Sequence, residues 1–140
     1  MDMNEREKIE AGCASRRRIL GHAYADRTEQ AAASDAKTDE ADTARLAATF
    51  HGLASAHAWG AVWPRPGLDD RARSIATIGI LITQGNKEEL ELHFAAAMRN
   101  GFYTRQQLGE IILHATGYAG YPQCLSALNV LTHLEEKAPR

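Results

Sequence analysis

The sequence predicts an all-α protein: an antiparallel bundle of about six helices. Two observations carry that expectation. Apolar residues recur at three- and four-residue spacing, with no sustained period-two alternation. From Asp69 to Glu136, helix caps, glycines and a proline punctuate the chain in regular succession. No heptad run is long enough for a coiled coil. At 140 residues, with 44% hydrophobic and 24% charged side chains, one domain over 1–140 is expected. Its N-terminal helix and link fill 1–42 and its helical core 43–136. Aromatics make up only 6%, so Ala and Leu must carry much of the core.

The first helix is expected from about Asn4 to Leu20, with Gly21 as its stop. Arg16, Arg17 and Arg18 read as a solvated face ahead of an anion site. Glu29 to Asp42 is rich in Ala, Ser, Thr and Asp, and its residue types fit a mobile link or a weak helix equally. A second helix should begin near Asp42 or Thr43, with Leu46, Phe50 and Leu53 on one apolar face. Pro64, Pro66 and Gly67 then break the chain. Asp69 caps a helix that runs to Gly85 with Ile75, Ile78 and Ile82 as its stripe. Asn86 and Glu89 have capping-box spacing, and their helix carries Leu90, Phe94, Ala97 and Met98 up to Gly101. Thr104 and Gln107 form a T-x-x-Q box, opening a helix with Leu108, Ile111, Ile112 and Ala115 that fades at Gly117. Pro122 suits the first turn of the last helix, striped by Cys124, Leu125, Leu128 and Leu131.

Several function classes lose support. A net charge of -2 gives no global attraction to nucleic acid. Cys13 and Cys124 form no C-x-x-C or metal-ligand spacing, and a reducing cytoplasm is the simplest setting. The polar start MDMNEREKIE is no secretory signal, and the apolar run from Ile78 to Ile82 is too short to span a bilayer. The P-loop, dinucleotide fingerprint, H-E-x-x-H and nucleophile-elbow patterns are all missing.

Among the six histidines, His22, His51, His57 and His133 have no partner at a telling spacing. His114 and Tyr118 stand one helical turn apart. His93 follows Glu89 by four residues, so both project from one helix face. A carboxylate there can orient the imidazole and raise its pKa towards neutrality. Against this, Glu89 can simply complete the Asn86 cap while His93 packs in the core beside Phe94, and spacing alone favours that reading. No third ligand suggests a metal site. Arg71 and Arg73 lie in the first turns after Asp69; solvated charge is the plain reading, and guanidinium forks also suit carboxylates. Trp59 and Trp63 flank the proline-broken loop, as core residues or as the lip of a pocket.

Taken together, these segments resemble the gamma-carboxymuconolactone decarboxylase family. The resemblance rests on Trp59-Gly60-Ala61-Val62-Trp63-Pro64-Arg65-Pro66-Gly67-Leu68-Asp69 followed by Arg71-x-Arg73-Ser74. It extends to Glu89-Leu90-x-x-His93 with Asn100-Gly101, to His114-x-x-x-Tyr118-Ala119-Gly120-x-Pro122, and to Arg18-Ile19-Leu20-Gly21, and so covers most of the chain. It implies an alkylhydroperoxidase-like fold, assembly as a homo-oligomer (hexamer or trimer), and lyase activity in aromatic catabolism by the beta-ketoadipate route. Peroxidase relatives carry C-x-x-C ahead of the histidine; Asn86 and Glu89 stand there instead, so that chemistry lacks its nucleophile.

The resemblance implies decarboxylation of 4-carboxymuconolactone to beta-ketoadipate enol-lactone, or of a closely related lactone carboxylate. The ring is its own electron sink, so no cofactor or metal is expected. His93 is the implied general acid and Glu89 orients it. Arg71 or Arg73 grips the side-chain carboxylate, Tyr118 donates to the lactone oxygen, and Trp63 walls the leaving carboxylate. Ala61, Gln106, Gln107, Tyr121, Cys124 and a longer turn at Gly101–Thr104 depart from the family pattern. They keep two alternatives open: a lyase or isomerase on another cyclic enol or lactone, and a non-catalytic helical binding module.

Overall fold

Asn4 starts the first helix by local chemistry. Its Oδ1 accepts from the Glu7 N–H at 3.0 Å, and Glu7 returns a carboxylate to the Asn4 N–H at 2.8 Å. The computed structural model describes residues 3–34 and 41–134. Positions 35–40 of the expected link and 135–136 of the expected last helix lie outside the described residues. The described helices fall into two compact units that divide after Gly67. All of the regular structure in them is helical, as the sequence predicts.

In the N-terminal unit, α1 (Glu5–Leu20) ends at Gly21, whose φ of 89° suits glycine. A helix follows at once, α2 (His22–Ser34); its start was not foreseen, and its last turns take the weak-helix alternative left open from Glu29. Its Ala-rich sequence carries no apolar stripe. Arg17 ties it to α1 through Asp26 at 3.2 Å and Glu29 at 2.6 Å, and Ala25 is fully buried. Helix α3 (Ala41–Ala54) runs straight on into a π-helical segment, π1 (Ser55–Val62). The wider winding continues to Trp63, whose N–H reaches Ala58 O at 3.0 Å, five residues back.

Segment π1 lies against α1 backbone to backbone. A Cβ on Gly12 would stand 2.0 Å from Ser55 O, and one on Gly60 would stand 1.9 Å from Lys8 O. Only glycine permits that approach at either position. The foreseen Leu46, Phe50 and Leu53 do share one face of α3. That face points away from the packing: the three are 71%, 70% and 62% exposed.

The C-terminal unit has four helices: α4 (Asp70–Gln84), α5 (Lys87–Arg99), α6 (Arg105–Ala119) and α7 (Tyr121–His133). Asp69 Oδ1 caps α4 by accepting from the Ala72 N–H at 2.7 Å, and Gly85 closes it at φ 66°. Asn86 caps α5 by accepting from the Glu89 N–H, without the reciprocal bond that completes the box between Thr104 and Gln107 on α6. Helix α6 runs past Gly117 to Ala119 and stops at Gly120. Pro122 sits in the first turn of α7, where its missing N–H is not needed. Arg105, at the start of α6, donates to Leu131 O and, at 2.7 Å, to Leu134 O, so it satisfies carbonyls at the end of α7.

Ile78 and Ile82, Leu90 and Phe94, Leu108 and Ile112, and Cys124 and Leu131 meet in this unit's core. The stripe expected on α7 divides. Cys124, Ala127 and Leu131 face inward, whereas Leu125 and Leu128 align with Tyr121 on an exposed face. Ile75 of the α4 stripe is also exposed. No helix among the described residues is long and apolar enough to cross a membrane.

Candidate functional site

Helix α5 turns Leu90, Phe94 and Ala97 into the core, and its periodicity carries His93 with them. The imidazole is 5% exposed, and its Nδ1 is buried with no hydrogen-bond partner. Burial alone pulls the His93 pKa down to about 4. The expected rise driven by Glu89 is therefore reversed. Glu89 is half-buried one turn earlier, its N–H is engaged by the Asn86 cap, and it makes no hydrogen bond to the imidazole. Desolvation outweighs whatever charge Glu89 offers at that spacing. Nor is His93 a satisfied core histidine, because a buried ring nitrogen normally finds a partner.

Arg71 and Arg73 occupy the first turn of α4. Arg71 is held by the α5–α6 turn: its Nε donates to Phe102 O at 3.0 Å, and its guanidinium lies 4.8 Å from the Tyr103 ring centre. Tyr103 returns the contact by donating its hydroxyl to Arg71 O at 3.2 Å. Sequence reasoning noted this turn only as one residue longer than usual; its Phe-Tyr pair was the available signal. Arg73 is half-buried with Nε out of solvent, and its carbonyl accepts from Thr77.

Tyr118 stands at the end of α6, 83% exposed, its ring 5.4 Å from that of His114. Trp63 belongs to the N-terminal unit, where it is buried and stacks on Trp59 with ring centres 5.0 Å apart and planes 13° from parallel. Arg16, placed with a solvated charge run by the sequence, is buried in that unit with its guanidinium 5.8 Å from the Trp59 ring. The structure thus gathers His93 and Glu89 on α5 and Arg71 and Arg73 on α4. Neither of the two clearest cavities among the described residues is lined by them or by Tyr118. No cluster of three metal-ligating side chains occurs among the described residues.

This arrangement offers a desolvated, neutral imidazole with an unused nitrogen, in a unit that also carries two guanidinium groups at one helix start. It suits the transfer of one proton to or from a small anion.

Residues 48–133 match the carboxymuconolactone decarboxylase family. The chain is 34% identical over 135 residues to a 4-carboxymuconolactone decarboxylase of Acinetobacter baylyi, covering 96% of this chain and 89% of that protein. It is 47% identical over 73 residues to a nitrosuccinic acid decarboxylase of Metarhizium robertsii, covering 52% of this chain and 50% of that one. The chain belongs to the carboxymuconolactone decarboxylase family.

Proposed function

We propose that the protein is a cofactor-free carboxy-lyase that decarboxylates 4-carboxymuconolactone or a closely related lactone carboxylate, with His93 delivering the proton. The observation that carries this reading is the buried His93 imidazole with its unpartnered Nδ1. Such a nitrogen is costly unless a ligand uses it.

The chemistry balances without a cofactor. The bond from the saturated ring carbon to its carboxylate breaks and carbon dioxide leaves. The electron pair moves through the ring double bond onto the lactone carbonyl, giving a dienolate. One proton then goes to the carbon beside that carbonyl. With a pKa of about 4, only about one free His93 in a thousand is protonated at pH 7. A doubly anionic substrate beside the ring raises that pKa, so a proton enters with the substrate. Carbon dioxide leaves as a neutral molecule, so the negative charge passes to the dienolate, and the apolar site then drives the imidazolium to give its proton to that anion. Arg71 or Arg73 binds the side-chain carboxylate, and Tyr118 hydrogen-bonds the lactone oxygen. The protein works as a homo-oligomer, a trimer or hexamer, in a reducing cytoplasm. The exposed Tyr118 and the uncovered apolar stripes on α3 and α7 support assembly, and the free thiols Cys13 and Cys124 fit that setting.

A second reading has its own support in the 47% identity to a nitrosuccinic acid decarboxylase. A nitro group beside the breaking bond is also an electron sink, so the same proton delivery serves an acyclic acid. Carbon dioxide release from both substrates separates the two readings, and the larger kcat/KM identifies the substrate. His93→Ala, if folded, should lose about 10²-fold or more on the preferred one. Turnover close to wild type would overturn the assignment of His93.

A further inference from the structure

Three contacts hold Arg71 from its backbone to its tip. The Tyr103 hydroxyl donates to Arg71 O at 3.2 Å, the guanidinium carbon lies 4.8 Å from the Tyr103 ring centre, and Nε donates to Phe102 O at 3.0 Å. None of these partners is an anion. Among the described residues Arg71 makes no ion pair, and neither of its Nη atoms has a hydrogen bond. Arg73, by contrast, is half-buried and already has a partner. A tie between α4 and the α5–α6 turn uses only Nε and the ring. It leaves the Nη pair of an exposed guanidinium as a fixed, charged fork.

The turn that fixes this fork is itself set by α5. The Phe102 N–H donates to Ala97 O at 2.9 Å, and Gly101 takes φ 68° between them. Ala97 faces inward one helical turn beyond His93, about 6 Å further along the axis of α5. The backbone that anchors Arg71 is therefore bonded to a residue on the same helix face as the imidazole.

Both substrates considered above make one common demand. 4-Carboxymuconolactone and nitrosuccinate each have two carboxylates, of which one leaves and one stays. Resting on the lyase reading, we propose that Arg71, and not Arg73, binds the carboxylate that stays, end-on through its two Nη atoms, and that Tyr103 is the positioning residue that holds this fork. Ordering the arginine before the substrate arrives removes that cost from binding. The carboxylate that stays is bound alike before and after the carbon–carbon bond breaks, so the gain falls on KM more than on kcat.

The test uses whichever acid the wild type decarboxylates, and its analogue in which the carboxylate that stays is a carboxamide. Wild type should prefer the acid by about tenfold or more in kcat/KM, the usual worth of hydrogen bonds to a charged group. Arg71→Met should bring that ratio close to one, and Arg73→Met should keep it. Tyr103→Leu retains the charge without its hold, and should cut the ratio severalfold through KM for the acid; Tyr103→Phe keeps the ring and should recover most of it. In the Arg71→Met background, Tyr103→Leu should lower the ratio no further. If Arg71→Met does not fold, Arg71→Lys decides: it keeps a charge without the fork and should still lose much of the preference. The proposal is overturned, with the lyase reading left standing, by a wild-type ratio near one, by a preference that survives the Arg71 variant or vanishes in Arg73→Met, or by a Tyr103→Leu loss carried by kcat on both compounds alike. If wild type releases carbon dioxide from neither acid, the lyase reading fails by itself. The same ratios are then read as Kd, by calorimetric titration with 4-carboxymuconolactone and its carboxamide, and no binding of the acid overturns the proposal as well.

Discussion

Burial of His93 makes the stability of the C-terminal unit depend on pH with a calculable sign. The unfolded imidazole takes up its proton near pH 6.5, and the folded one only near pH 4. Between those values the unfolded chain binds more protons than the native one, so stability rises with pH across that window and falls as pH drops through it. Above pH 6.5 both forms are neutral and His93 contributes no slope. Below pH 4 both are charged, and the full penalty has been incurred. The gap of about 2.5 pKa units corresponds to about 3 kcal/mol. That is a large share of the ~5–15 kcal/mol that holds a typical domain together.

The assay compares urea unfolding of wild type and His93→Gln at pH 7 and pH 4, at one protein concentration. Glutamine keeps polar atoms at the site and cannot titrate. All other groups remain in both proteins, so the difference between the two pH dependences isolates His93. Wild type should lose about 3 kcal/mol more than the variant on acidification. Parallel losses would show that the imidazole is solvated in the native state, and would refute both the burial argument and the neutral free enzyme that follows from it.

Gly60→Ala should destabilise, although alanine is normally the better helix former by about 1 kcal/mol. Its Cβ would stand 1.9 Å from Lys8 O, against about 3.3 Å for an ordinary close carbon–oxygen contact, so α1 must move by about 1.4 Å. Overpacking of this kind costs about 1–3 kcal/mol or more, and thermal unfolding should shift down by several degrees. Gly109→Ala on α6, where nothing lies within 4 Å of the new carbon, should shift it up instead. Phe50→Glu should reduce the assembled mass seen by light scattering while helicity is retained, if another copy covers the exposed α3 face; an unchanged mass removes that face from the interface.

What was legible in the sequence is what local chemistry decides. Asp69, Asn86 and Thr104 cap the helices they precede because a short polar side chain reaches an N–H three residues on. Helix α2 was legible only as one of two alternatives from Glu29 on: its alanines give no periodic stripe, and Arg17 ties it down by reaching Asp26 and Glu29 from another helix. The π1 segment lies close against α1 at Gly12, a contact between segments distant in sequence that local periodicity does not reveal. From its position near Asp69, Arg71 reads plainly as solvated charge; its contacts with Phe102 and Tyr103, about thirty residues further on, are not local and so were not legible. The i to i+4 spacing of Glu89 and His93 was correctly read as sharing a face. The sign of the pKa shift was not, because it depends on how much water the fold removes.

That sign changes what His93 can do. An imidazole raised by Glu89 would be protonated and waiting before the substrate arrived, with no reason to lose its proton afterwards. In the proposed reaction a buried, neutral imidazole behaves in the opposite way: it takes a proton only when negative charge comes in beside it, and desolvation keeps the imidazolium a strong acid towards the dienolate on which that charge is left. The same desolvation that costs about 3 kcal/mol of stability in acid therefore favours proton transfer to the dienolate by an amount of that order. Helix α5 makes this possible by ordinary means. The positions where thiol peroxidases of this fold carry cysteines are filled here by Asn86, which caps the helix, and Glu89, whose N–H receives the cap. With no thiol ahead of it on the helix, the buried imidazole is the group to which the proposed lyase reaction assigns the proton.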